Sequence, residues 1–402
     1  MFLLGLLWSD TLSAMSPRGR VEIALDHREP DRVPLDLGTG GSSSPVPEAY
    51  ARLAAYFGIS APARPMTHML RLSTVDDAIL QALEIDTRPV YMRPARRGMR
   101  PCSEPDHFYD DWGVKWREVD TGLSVFREIA ESPLANVTVA DLDNYPWWPD
   151  PLDPDRYTGT REDAEHLFHE TDYAVIGCPG FNGVWERAWY LCGFERMLAS
   201  LVADPGFVHA VLRRVTDIGK AVMGRYLDLT GPYIQVIKMG DDLGAQNGPL
   251  MSPKTYRAVI KPYHKELFDL IRQRTKARIF LHTCGSVYRL LPDLIDAGVE
   301  VLNPVQVSAA DMDTRRLKAE FGDRLSFMGA IDTQHALPFG TPDEVQREVE
   351  RRIADLAPGG GFILAPVHNV QADVSPENLV TMYRHARRVG TYPIKVFQGE
   401  HS

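Results

Sequence analysis

The sequence predicts a single (β/α)8 barrel of the TIM type with an irregular N-terminal excursion. Three observations lead there. From residue 173 onward, short apolar runs alternate with amphipathic helical stretches, the pattern of a parallel sheet with crossover helices. The units are numerous enough, in one chain of 402 residues, to favour a closed barrel over an open sheet. Each apolar run also ends in a polar loop, as the strands of such a barrel do at the face that carries chemistry.

The elements follow in order. A helix carrying Val21, Ile23, Ala24 and Leu25 opens after Ser16 and Pro17, and residues 32–38 read as a first strand. Residues 38–44, Gly and Ser only apart from Thr39, are expected to form a mobile loop. Residues 45–100 alternate helical periodicity with turns. Residues 101–160 are rich in Asp, Pro and aromatics and predict a hairpin plus an irregular cover over the barrel, with the tryptophans used for packing. Strands are then expected at 173–177, 233–239, 278–282, 299–302, 325–328 and 362–366. Helices are expected around 185–203, 205–230, 253–274, 286–297, 313–321, 341–357 and 375–389. No repeat or linker divides residues 16–402, and residues 1–15 read as a disordered or mis-assigned extension, with Met15 as an alternative start.

Bulk properties narrow the function classes. Lys and Arg total 44 against 54 Asp and Glu, a formal charge of -10, which lacks the basic face that nucleic acid requires. The apolar stretch at the N-terminus is short and no Lys or Arg precedes it, so neither a secretory signal nor a membrane span is expected. The four cysteines form no CxxC pair and suit a reducing cytoplasm. Cys102, Cys178 and Cys192 read as structural.

The strand 278–282 ends in His282-Thr283-Cys284-Gly285, and the strand 362–366 runs on to His368. Two imidazoles and one thiolate suit Zn²⁺, and three protein ligands leave a coordination position open. Other strand ends deliver further polar groups. Asp241 and Asp242 are the acid–base candidates, or a carboxylate that orients a metal-bound imidazole. Gln246, Asn303, Gln306, Asp332, Gln334 and Asn369 are the candidates for lining a substrate pocket, although Asp and Asn in strand-to-helix turns also serve as caps. Residues 358–361 precede a strand and are no dinucleotide fingerprint. His264 and His335 have no evident partner in sequence.

With these pieces in place, the chain resembles the uroporphyrinogen decarboxylase superfamily. The resemblance rests on residues 30–34, Asp111-Trp112-Gly113, Gly240-Asp241-Asp242-Leu243-Gly244, Ser252-Pro253, His282-Thr283-Cys284-Gly285 and Pro376-Glu377-Asn378. It implies a (β/α)8 barrel. True decarboxylases of the superfamily carry an arginine-bearing loop after the first strand. Residues 37–42 hold no arginine, so a polycarboxylate tetrapyrrole would lack its clamp. The zinc-dependent branch that serves corrinoid systems is similar in its His-x-Cys pair and a later Cys. Here His282 and Cys284 match the pair and His368 stands at the later position, a departure that leaves the site less thiolate-rich.

The resemblance therefore implies a zinc-dependent methyltransferase, cytoplasmic, moving a methyl group between a small methylated compound and a corrinoid or thiol acceptor. The corrinoid would be a cobalamin on a separate protein, because no corrinoid-binding segment is visible. A homodimer is left open. The alternative is a metal-assisted decarboxylase or lyase acting on a smaller, less anionic substrate. A third reading is a binding barrel in which His282 and Cys284 are merely buried.

Overall fold

The computed structural model describes residues 15–66, 71–181 and 183–395. The expectation for residues 1–15 lies, Met15 apart, outside them. Seven parallel strands form one sheet: β1 (Thr87–Tyr91), β2 (Ala174–Cys178), β3 (Val236–Gly240), β4 (Arg278–His282), β5 (Val301–Asn303), β6 (Ser326–Ile331) and β7 (Phe362–Pro366), each beside its neighbour in sequence. The extended segment 33–37 closes the ring. Leu35 bridges in parallel to Leu364 of β7, and Asp36 N–H donates to the Leu364 carbonyl at 3.0 Å. On the other side Asp86 N–H donates to the Leu35 carbonyl, also at 3.0 Å. The sheet therefore has no open edge, and the barrel reading holds.

Side chains alternate between the two faces of every strand. The inward set is Ala174, Ile176, Cys178, Val236, Phe280, Val301, Met328 and Ile363. The first helix, α1 (Pro17–Leu25), begins at the Ser16 cap and plugs the lower end of the barrel with Val21 and Leu25. Asp86, fully buried, ties this floor together: it pairs with Arg20 at 2.6 Å and Arg32 at 2.8 Å and accepts the Leu35 N–H at 2.8 Å. The outward strand faces pack under the helices in a second, larger core.

Several expectations are corrected. Residues 87–91 are a barrel strand, not helix and turn. Pro89 and Arg88 hide it in sequence, yet Pro is tolerated here because the strand still pairs with β2 along its whole length. The helix expected over 185–203 is two helices, Val184–Cys192 and Phe194–Ala203, parted at Gly193, whose φ of 90° suits glycine. The helix at 253–274 contains a π-turn at Tyr256–Ile260. The loop 38–44 is not an open surface segment. It is almost wholly buried, because Ser43 donates to Asp36 at 2.7 Å and Thr39 donates to the same carboxylate.

The excursion is a four-stranded antiparallel sheet of Arg100–Pro101, His107–Tyr109, Lys115–Asp120 and Val125–Glu131. Asp110 organises it. Its carboxylate accepts the backbone N–H groups of Trp112 and Val114 at 2.9 Å and the indole N–H of Trp116 at 3.1 Å. Trp112 and Trp116 are buried, so the tryptophans do pack. Arg187 of the helix Val184–Cys192 meets Asp110 at 3.3 Å, which fastens the cover to the barrel.

Candidate metal centre

His282 is the last residue of β4, flanked in register by Gly240 of β3 and Asn303 of β5. Inward alternation along β4 turns its ring into the barrel mouth. Its Nδ1 lies 2.5 Å from Asn303 Oδ1. Asn303 Nδ2 donates to the Met328 carbonyl at 2.9 Å, which fixes the amide so that its oxygen faces the imidazole. Nδ1 therefore carries the proton and Nε2 presents a lone pair, the arrangement typical of a metal-bound histidine. Ser42 Oγ lies 3.3 Å from the same Nδ1.

Cys284 Sγ stands 3.4 Å from His282 Nε2. A tetrahedral zinc bound to both would hold them about 3.6 Å apart, from ordinary Zn–N and Zn–S lengths. His368 completes the cluster: its ring centroid is 5.2 Å from that of His282, and one donor atom from each of the three lies within 4.8 Å of the others. The structure thus brings together the three residues expected from sequence. Burial, with His368 alongside, pushes His282 down to about 3, and burial lowers His368 as well. Both shifts favour the neutral ring, the form that ligates a metal. Burial, reinforced by the Asp242 and Glu186 carboxyls, raises the Cys284 thiol well above its usual range. Without a cation the thiol keeps its proton, and a metal would have to displace it.

The chain's own loops fix this corner closely. Asp242 Oδ1 accepts the Cys284 N–H at 2.8 Å, and Gln306 Oε1 accepts the Gly285 N–H at 2.7 Å. Gly285, at φ 82°, lies so close to Gly244 that a Cβ on it would come within 2.5 Å of the Gly244 carbonyl carbon. Only glycine allows that approach.

The other sequence candidates take supporting places. Asp241 is 1% exposed and accepts the N–H groups of Trp185 and Glu186 at 3.0 and 2.6 Å, capping the helix Val184–Cys192. Its Oδ2 is also 2.7 Å from His264 Nε2. His264, for which sequence offered no partner, is thus half of a buried pair and also bonds Tyr256 through Nδ1 at 2.9 Å. Gln246 and Gln306 bond each other at 3.2 Å. Asp332 accepts the Gln334 N–H at 2.7 Å and meets His335 at 3.0 Å, and Gln334 is exposed. Asn369 Oδ1 lies against His368 Nδ1.

None of the six expected pocket residues lines the cavity of about 190 Å³ at the barrel mouth. Its walls include Gly40, Tyr91, Cys178, Phe181, Lys238 and Gly240, with four methionines, Met66, Met92, Met99 and Met239. Amides and carboxylates at strand ends are taken up by backbone groups of neighbouring loops, so the cavity falls to the inward strand residues and the excursion. Glu186 is the residue sequence reasoning missed. It lies in the capped first turn of its helix, and its carboxyl accepts from Tyr190. Burial and the adjacent Asp242 push it up to about 8.

The uroporphyrinogen decarboxylase (URO-D) family model matches residues 130–389. The chain belongs to the uroporphyrinogen decarboxylase family. Within it, a methylated-thiol–coenzyme M methyltransferase of Methanosarcina mazei is 26% identical over 199 residues, 49% of this chain and 50% of that protein. This chain thus matches only half the length of that relative. A uroporphyrinogen decarboxylase of Pseudoalteromonas translucida is 23% identical over 279 residues, 64% of this chain and 71% of that protein. A methylcobamide:CoM methyltransferase of Methanosarcina barkeri is 30% identical over 145 residues, 35% of this chain and 40% of that protein. Among solved structures, a methyltransferase from Methanosarcina mazei superposes with a TM-score of 0.65 at 16% identity, over 93% of this chain and 99% of that one. That likeness confirms the family barrel.

Proposed function

We propose that this family member is a zinc-dependent methyltransferase that moves a methyl group between a small methylated compound and a corrinoid carried on a separate protein. The observation that carries the reading is the His282–Cys284–His368 cluster, three soft-to-borderline donors converging at the mouth of the barrel beside a small cavity. His282, Cys284 and His368 would hold the metal, and a bound Zn²⁺ would supply Lewis acidity at the heteroatom of the substrate. The relatives named as methyltransferases of methylated thiols and methylcobamide support the same chemistry.

The chain's own groups cover the proton that such a transfer needs. When the bond between methyl carbon and heteroatom breaks, the electron pair stays on the heteroatom, which then takes up a proton. Glu186, whose pKa burial and Asp242 push up to about 8, would supply it. In the reverse direction Glu186 would take that proton back. Asn303 and Ser42 keep His282 in the tautomer that leaves Nε2 open.

The decarboxylase reading draws on the longer matches to uroporphyrinogen decarboxylases. The cavity opposes it for the tetrapyrrole: about 190 Å³ is below the range usual even for drug-sized ligands. The loop 38–44 also offers no cation to a polycarboxylate. The deciding experiment mixes the zinc-supplemented protein with free cob(I)alamin and small methyl ethers or thioethers and follows the cobalamin spectrum. Conversion to the methyl form that is lost in Cys284→Ala supports the reading. No conversion with any donor, alongside CO2 release from a small carboxylic acid, would replace it with the lyase.

A further inference from the structure

We infer that Lys238 makes this site selective for a monoanionic substrate, holding a carboxylate of the methylated compound at one end of the cavity while the methyl-bearing end faces the His282–Cys284–His368 cluster. The inference rests on the methyl-transfer reading only for the nature of that second end.

Lys238 is an inward residue of β3, two positions before Gly240, and it lines the cavity. Three other cations share those walls, and each has a carboxylate: Arg93 meets Asp163 at 2.7 Å, Arg187 meets Asp110 at 3.3 Å, and Arg156 meets Asp111. Lys238 has no ion pair among the described residues. The acids around it are already engaged. Asp36 takes the hydroxyls of Thr39, Ser43 and Thr87. Asp242 takes the Cys284 N–H. Glu186 accepts the Tyr190 hydroxyl, and burial with the adjacent Asp242 raises its pKa. Cys178, next to it in the lining, is a neutral thiol, pushed up to about 12 by burial. The half-buried Lys238 loses part of its hydration at the cavity wall, a cost to its charged form that lowers its pKa although Glu186, Asp36 and Asp242 lie close enough to attract it. An anionic ligand would remove that cost.

The fold also sets the spacing. The short turn Gly40–Ser42 touches both ends of the site. A Cβ on Gly40 would lie 3.3 Å from Lys238 Nζ, and Ser42 Oγ lies 3.3 Å from His282 Nδ1. One turn of chain therefore separates the cation from the His282 ring, a span that a compact molecule of a few heavy atoms bridges. Met66, Met92, Met99, Met239 and Phe181 also line the cavity, which suits an apolar body.

The test is calorimetric binding of two matched probes, (methylthio)acetate and neutral 2-(methylthio)ethanol, to zinc-supplemented wild type, Lys238→Met and Lys238→Arg, with zinc content measured on each. The inference predicts at least about tenfold tighter binding of the anion to wild type, equal weak binding of both probes to K238M, a preference kept by K238R, and unchanged zinc in all three. Equal binding by wild type, an anion preference that survives in K238M, or no binding of the anion at all would overturn it. So would loss of zinc from K238M, which would make Lys238 part of the metal site. If Lys238-dependent anion binding is found in a protein that neither binds zinc nor transfers methyl groups, the proposed function falls and this inference stands.

Discussion

At the scale of single residues, the candidate centre depends as much on the groups that aim the ligands as on the ligands. Asn303 is the clearest case. Its buried amide, locked by the Met328 carbonyl, dictates which nitrogen of His282 is free. Removing such a partner usually costs about 10–100-fold in metal affinity. Asn303→Ala should weaken zinc binding by that order in a competition with a chromophoric chelator, and an affinity equal to wild type would show that Asn303 does not orient His282. Glu186 makes a pH prediction. Its folded pKa, about 8, lies above the ordinary value of 4.5. Between those values the unfolded chain releases the proton while the folded protein keeps it. Stability is therefore fully present below about pH 4.5 and declines as pH rises through about 8. In Glu186→Gln this decline should vanish, so thermal melts of the metal-free protein should show the variant gaining on wild type from pH 5 to pH 8. A parallel pH profile in the two proteins would show that Glu186 is ionised in the fold.

At the scale of elements, the turns between strands and helices carry the site, and this is where the sequence was hardest to read. The strands β2 to β7 were legible because an apolar run bounded by polar loops favours a buried strand. His282 and Cys284 were legible because two soft donors sit one residue apart at such a strand's end. Thr87–Tyr91 was not, since a five-residue strand with an internal Pro has no alternation to detect. The loop 38–44 looked mobile from its glycines and serines, yet Asp36 organises its hydroxyls into a buried turn. Asp241 reads as an acid–base candidate, and in the fold it caps the helix Val184–Cys192; the cap and the catalyst share one residue type, so composition does not separate them. Its partner His264, 23 residues away, is brought in only by the fold. Asp241→Ala should strip the cap and leave His264 buried without its carboxylate, and breaking such a buried pair costs about 3–5 kcal/mol. Guanidinium melts should show the midpoint falling with little change in slope. A loss below about 1 kcal/mol would mean that the pair is not formed in solution.

At the scale of the whole molecule, barrel closure is what turns distant motifs into one centre. His282 and His368 lie on β4 and just past β7, and no local pattern relates them. They meet because the segment 33–37 joins β7 to β1, while α1 fills the floor and leaves the upper end open. Family membership and the barrel follow from the whole pattern. The pocket lining does not, because it depends on which strand residues face inward and on the excursion lying above them. Lys238 and the methionines stood unremarked in the sequence for that reason. The central claim, a three-ligand zinc centre, is tested most directly by the metal content of the purified protein and of its His282→Ala, Cys284→Ala and His368→Ala variants, each kept from chelators. The account predicts about one zinc per wild-type chain and its loss in each variant with the fold intact by circular dichroism. No zinc in the wild type, or zinc retained by all three variants, would contradict it.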